Sequence, residues 1–145
     1  MTKKKLLFVV NVDWFFKSHR LPIAIKAIQE GYEVHLACLD TGDFDELEQL
    51  GINCHHVAFS RSGANPMHEI AAMRQLLKVL KKVRADVVHT VTIKPALYVG
   101  LLSKLVNIPA LVFAISGLGL MFSSKGHVVK RALIKFLYRL ALSHD

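Results

Sequence analysis

Short, wholly apolar runs alternate along the chain with longer stretches whose apolar residues recur every three to four positions. Lys5–Val12 (KLLFVVNV) reads as a buried strand, short and β-branched. Ser18 is a candidate cap for a helix running to about Glu30, with Pro22 in its first turn and Gly31 at its end. Glu33–Leu39 predicts a second strand. Asp43–Leu50 predicts a short helix, with acids in its first turn and Gly51 as its stop. Cys54–Phe59 predicts a third strand. Asn65-Pro66 is a cap followed by proline at the first helical position. That helix extends to about Val83 and is expected to bury Ile70, Met73, Leu76, Leu77 and Leu80. Asp86–Val91 predicts a fourth strand, Ala96–Val106 a helix, Ala110–Ile115 a fifth strand and roughly Lys125–Ser143 a last helix.

Strands alternating with helices imply right-handed crossovers and a parallel sheet. The strands are apolar throughout, as a sheet covered on both faces requires. The expected fold class is therefore α/β, a doubly wound Rossmann-like parallel sheet with strand order 3-2-1-4-5. Such sheets bind ligands beyond the carboxyl ends of the strands, where the winding reverses. The segments Asn11–Arg20 and Thr92–Pro95 would line that crevice.

Composition narrows the class. The 145 residues suit one domain, 1–145, and 52% apolar against 21% charged residues excludes disorder. Nineteen basic residues against eleven acidic give +8. No Asp or Glu lies between Val87 and His144, whereas Asp40, Asp43, Asp45, Glu46 and Glu48 cluster. With a mean hydropathy of +0.36, a basic and apolar half suits a surface facing anionic lipid, phosphate or nucleic acid, with the hydropathy favouring a membrane surface, or else is ordinary solvated lysine. The apolar run from Ile108 to Phe122 is broken by Pro109, Gly117 and Gly119 and is too short to span a bilayer. No signal peptide is expected, and Cys38 and Cys54 read as reduced and buried.

Several chemistries are excluded by motif. The segment after the first strand holds no glycine, which disfavours a dinucleotide site, and the chain has no phosphate-binding G-x-x-x-x-G-K-[ST], no G-x-S-x-G and no H-E-x-x-H. No zinc site is visible. Asn11, Phe16, His19 and Arg20 mix apolar and hydrogen-bonding groups as sugar or nucleotide sites do; alternatively Trp14 and Phe16 pack beneath while Arg20 is solvated. Arg61 could reach a phosphate or fix its loop. His89 lies inside the fourth strand, where a satisfied core histidine is the commoner outcome. Lys94 precedes a proline, a bias toward extended geometry that would aim its ammonium at the crevice. Ser116, Gly117 and Gly119 offer unobstructed backbone N–H groups. Lys130, Arg131, Lys135 and Arg139 form a basic stripe on an amphipathic helix, as in interfacial helices or in a packing helix with a solvated face. Aromatic residues do not interleave with basic ones, so no nucleic-acid partner is expected.

Taken in order, Phe16-x-x-His19-Arg20-Leu21-Pro22-Ile23, Ser60-Arg61-x-x-x-Asn65-Pro66, Asp86-Val87-Val88-His89, Thr92-Ile93-Lys94-Pro95-x-x-Tyr98 and Ser116-Gly117-Leu118-Gly119-x-x-Phe122 resemble a known pattern. The chain resembles the N-terminal, acceptor-side domain of bacterial family-4 retaining glycosyltransferases with the GT-B fold, in the branch that assembles cell-surface polysaccharide and lipid-linked oligosaccharide. The resemblance implies metal-independent, retaining transfer of a sugar from a nucleotide donor to a polyprenyl-diphosphate-linked acceptor at the cytoplasmic membrane face. It implies no resident cofactor, the nucleotide sugar being a substrate held mainly by a C-terminal lobe through a glutamate pair spaced E-x7-E. Glutamates 30, 33, 46, 48 and 69 contain no such pair, and Ile115-Ser116 stands where some members carry a histidine.

The expected partners are therefore a lipid-linked sugar acceptor, an anionic membrane surface and a separate donor-binding domain. The expected location is cytoplasmic, peripheral on the inner face of the plasma membrane. The acceptor-binding set is Asn11, Phe16, His19, Arg20, Arg61, Asn65, His89 and Lys94, with Ser116, Gly117 and Gly119 as a glycine loop in the cleft. These 145 residues alone are expected to show no transfer, since one wall of a cleft cannot hold both substrates in reacting geometry. An open edge beyond the fifth strand would favour oligomers or poor solubility. Two competing readings are a non-catalytic accessory or membrane-binding subunit of a split GT-B enzyme and an unrelated flavodoxin-like ligand-binding domain.

Overall fold

The computed structural model describes residues 2–60 and 65–114. Five strands, β1 (Lys5–Val12), β2 (Glu33–Leu39), β3 (Asn53–His56), β4 (Val87–Val91) and β5 (Ala110–Ala114), are separated by helices α1 (Asp13–His19), α2 (Leu21–Gln29), α3 (Phe44–Gln49), α4 (Pro66–Val83) and α5 (Ile93–Leu102). Every pair of neighbouring strands is parallel and the order is β3-β2-β1-β4-β5, as the sequence predicts. The chain leaves β1 toward β2 and β3, then crosses back to β4, so the winding reverses between β1 and β4.

The apolar runs explain why β1 and β2 lie at the centre. Successive residues of β1 enter opposite cores. Leu7 and Val9 join Ala37 and Val88 in a cluster with Leu76, Leu80, Val83 and Val99 of α4 and α5. Phe8 and Val10 join Leu36 and Cys38 in a second cluster with Phe16, Ala24 and Leu47 of α1, α2 and α3. Leu7, Phe8, Val9 and Val10 are all fully buried, and burial of such a side chain contributes about 1.5–3 kcal/mol. Turn chemistry follows the sequence. Gly31 and Gly51 take φ of +94° and +98°, a conformation that a residue with a Cβ adopts only at a cost. The Asn65 Oδ1 caps α4, accepting from the Met67 N–H at 3.0 Å.

Four local expectations are corrected. The single helix expected from Ser18 to Glu30 is two, α1 and α2, hinged at Arg20 (φ −126°, ψ −10°). Pro22 has no N–H for the Ser18 carbonyl, and its ring would clash there, so one helix cannot run through. Ser18 is no cap; it sits within α1 and its hydroxyl donates to the Trp14 carbonyl at 3.0 Å. The third strand ends at His56 rather than Phe59, because the Ala58 N–H turns to the Gln75 side chain at 2.7 Å. Helix α5 begins at Ile93 and ends at Leu102, earlier than expected at both ends. On α4, Leu76 and Leu80 are buried as expected and Met73 and Leu77 pack against the core, whereas Ile70 is 52% exposed.

Candidate functional site

No loop follows β1: α1 starts at Asp13, directly after the strand. Asn11 ends up beside the winding reversal, and Arg20 closes α1 at the same edge of the sheet. Across the reversal, β4 brings His89 opposite Phe8, with ring centroids 5.1 Å apart, and delivers Thr92 just beyond its last residue. Among the described residues, four buried side-chain atoms have no hydrogen-bond partner: Asn11 Oδ1, Arg20 Nε, His89 Nε2 and Thr92 Oγ1. Asn11 and Thr92 lie at the ends of the neighbouring strands β1 and β4, His89 lies within β4, and the Arg20 charge is close enough to act on His89. A buried polar atom without a partner costs about 1–3 kcal/mol, so such atoms call for a ligand or ordered water to supply the missing bonds.

Two further features mark the place. Burial, and then the nearby Arg20 charge, lower the His89 pKa, which holds the ring neutral near pH 7. Thr92 adopts φ +73° and ψ 175°, a region that is essentially reserved for glycine. Its amide is held by the Ala114 carbonyl at 3.0 Å. A β-branched residue in that conformation carries strain of about 1–3 kcal/mol, and such strain concentrates at functional sites.

The remaining expected residues divide. Phe16 does not line an open crevice: it is fully buried and packs edge-on against Phe8, centroids 5.3 Å apart, so it supports the site from beneath. His19 is exposed, with its ring stacked on Phe15 at 4.1 Å. The Asn65 side chain is occupied as the α4 cap. Lys94 lies in the first turn of α5, not in an extended segment, and its ammonium is engaged by the Ser60 carbonyl at 2.8 Å and Glu69 Oε1 at 3.0 Å. It therefore ties α5 to α4 and to the chain after β3. His89 is not a satisfied core histidine, since Nε2 has no partner. Arg61, the Ser116, Gly117 and Gly119 loop, and Lys130, Arg131, Lys135 and Arg139 lie outside the described residues, as does the helix expected over Lys125–Ser143.

Sequence reasoning placed Thr92 in the segment lining the crevice but missed that it sits directly before the start of α5, and it missed Glu69 as the partner of Lys94 and Asp13 as a structural clip. Proline at 95 was the available signal for the first, because proline in an opening helical turn places the helix start two or three residues earlier. Asp13 is fully buried and accepts from the Trp14 N–H (2.8 Å), the Thr41 N–H (2.8 Å), the Thr41 hydroxyl and the Asp43 N–H (3.0 Å). Burial pushes its pKa up, but the Thr41, Asp43 and Trp14 hydrogen bonds outweigh it and the net shift is downward. Lys17, paired with Glu46 at 2.7 Å and Asp43 at 3.5 Å, holds the same flank of α1 against α3.

Both cysteines are free; Cys38 is buried and Cys54 partly so, where both had been expected buried. Among the described residues no group of three or more His, Cys, Asp and Glu side chains could hold a metal ion. None of the helices described there is long and apolar enough to cross a membrane.

A family model described as "Glycosyl transferase 4-like" matches residues 5–144. The chain belongs to the glycosyl transferase 4-like family. EpsD of Bacillus subtilis (strain 168), named as a glycosyltransferase, is 33% identical to this family member over 86 residues, 59% of this chain and 21% of EpsD. The chain thus spans about a fifth of that relative's length. Among solved structures, the calicheamicin glycosyltransferase CalG4 superposes with a TM-score of 0.65 at 15% identity, over 98% of this chain and 44% of CalG4. MurG of Acinetobacter baumannii gives 0.56 at 21% identity, over 75% of this chain and 33% of MurG. The UDP-GlcNAc 2-epimerase of Methanocaldococcus jannaschii gives 0.58 at 18% identity, over 92% of this chain and 37% of the epimerase. These structures share a fold, a Rossmann-like domain of GT-B type, and the epimerase among them illustrates that the fold alone does not fix the chemistry.

Proposed function

We propose that this family member forms the acceptor-side lobe of a retaining glycosyltransferase. Acting with a donor-binding lobe, it presents a lipid-linked, diphosphate-bearing sugar to a nucleotide sugar during assembly of a surface polysaccharide. The observation that carries this reading is the set of unpartnered buried atoms at the winding reversal. Arg20 Nε and the Thr92 hydroxyl supply donors for an anionic oxygen, and Asn11 Oδ1 accepts from a hydroxyl. His89, kept neutral, adds a hydrogen bond without a second positive charge. Holding the acceptor against rigid strand ends supplies the orientation that transfer across a cleft requires. The donor is held mainly by the other lobe, and no metal or resident cofactor takes part. The basic residues Lys130, Arg131, Lys135 and Arg139 would bring the domain to the anionic cytoplasmic leaflet, each charge contributing about 1 kcal/mol.

The test is binding of a polyprenyl-diphosphate-linked sugar in detergent, compared with a nucleotide sugar. Tighter binding of the lipid-linked sugar, weakened about tenfold or more in Arg20→Gln or Asn11→Ala, supports the reading. Preference for the nucleotide sugar would reverse the assignment of lobes. Flotation with anionic vesicles is expected to fall when the four basic residues become Gln; unchanged flotation would remove the membrane component.

A further inference from the structure

Helix α1 carries a second feature that the polar set does not use. The His19 ring lies flat on Phe15, centroids 4.1 Å apart and planes 15° from parallel. Its Nδ1 is 3.2 Å from the Phe15 carbonyl. A carbonyl only accepts, so Nδ1 bears a proton, and the tautomer that this contact selects leaves Nε2 as an acceptor. The stack is thus pinned in one orientation, with His19 exposed and Phe15 half-buried against the cluster that includes Val91 of β4.

The direction of this flank follows from helical geometry. Lys17 points to α3, on the β2–β3 side, through Asp43 and Glu46. Successive residues turn by about 100°, so positions two before and two after Lys17 both fall near the opposite flank of α1, where Phe15 packs against the cluster that holds Val91 of β4. The stack therefore borders the winding reversal, next in sequence to Arg20, whose guanidinium also donates to the His19 carbonyl at 3.1 Å. A flat, preorganised ring pair beside a cation fits a ligand that is apolar on one face, hydroxylated at its rim and anionic at one end.

We propose that the Phe15–His19 stack is the platform for one pyranose ring of the acceptor. The C–H face of the sugar lies on the imidazole, a rim hydroxyl donates to His19 Nε2, and the phosphate attached to that sugar turns to Arg20. This assignment rests on the acceptor-lobe reading and adds to it that a sugar, not the lipid chain, is what α1 recognises.

Trp14, the single tryptophan, has its ring centroid 6.1 Å from that of Phe15 and is 42% exposed, so its emission reports this platform. The protein is titrated with glucose 1-phosphate, galactose 1-phosphate and N-acetylglucosamine 1-phosphate, with inorganic phosphate and farnesyl phosphate as comparisons, and binding is followed in parallel by calorimetry. At least one sugar phosphate is expected to change Trp14 emission where inorganic phosphate does not. His19→Ala, at an exposed position, should weaken it about three- to tenfold, and His19→Phe, which keeps a flat ring but removes the Nε2 acceptor, should weaken it less than His19→Ala does. An equal emission change with farnesyl phosphate, or calorimetric affinity untouched by His19→Ala yet lost in Asn11→Ala, would overturn the platform and leave the acceptor lobe standing. Absence of calorimetric binding by every sugar phosphate and by farnesyl phosphate would overturn both.

Discussion

Thr92 shows how a single residue can favour function over stability. Its φ of +73° suits glycine, and its hydroxyl has no partner. Thr92→Gly is expected to raise stability by about 1 kcal/mol, since relief of strain exceeds the entropy that glycine adds to the unfolded chain. The same change should weaken acceptor binding, because the hydroxyl is gone. Urea unfolding and a binding titration on one preparation check both. His55 sets a pH dependence. Burial first, then the neighbouring His35 and Lys82, push its pKa down from the ordinary 6.5 to about 4. Its Nε2 lies 2.9 Å from His35 Nδ1, and His35 Nε2 lies 2.7 Å from Glu33. The unfolded chain takes up this proton below about pH 6.5 and the folded chain only near pH 4, so stability is full above 6.5 and declines as pH falls across that window. His55→Gln should flatten that decline in urea midpoints measured between pH 7 and 5, leaving the part due to His89, which has the same sign.

At the scale of elements, the Lys94 bridge joins α5, α4 and the carbonyl of Ser60. Lys94→Met or Glu69→Gln should cost about 0.5–1.5 kcal/mol, since both side chains are about a quarter exposed and solvent screens part of the pairing. Amide exchange should rise most at residues 58–60 and in the first turn of α4. Strands and α4 were legible in the sequence because apolar runs, the Asn65-Pro66 cap and Gly31 each act locally. The division of α1 from α2 was not read, although Pro22 marks it, because Ser18 offered a competing cap. The partner of Lys94 was not legible at all: Glu69 stands 25 residues away in sequence and only the fold brings the two together. Strain at Thr92 runs against the residue's own preference, so no propensity rule points to it. The polar set was partly legible, since Asn11 and Arg20 were chosen from the segment that leaves the first strand and His89 from within the fourth, whereas their lack of partners is visible only in three dimensions.

Across the whole molecule, the sheet separates support from recognition. Polar atoms without partners gather at the carboxyl ends of β1 and β4, while apolar side chains fill both faces behind them. An ordinary one-sided sheet tolerates polar replacements at every second position of a strand. Here Leu7, Phe8, Val9 and Val10 enter the two cores by turns and none reaches water. A saturation scan of β1 should therefore show no two-residue rhythm of tolerance: polar residues will be rejected at four positions in a row, whereas exposed positions elsewhere, such as Met67 and Ile70 of α4, will accept them.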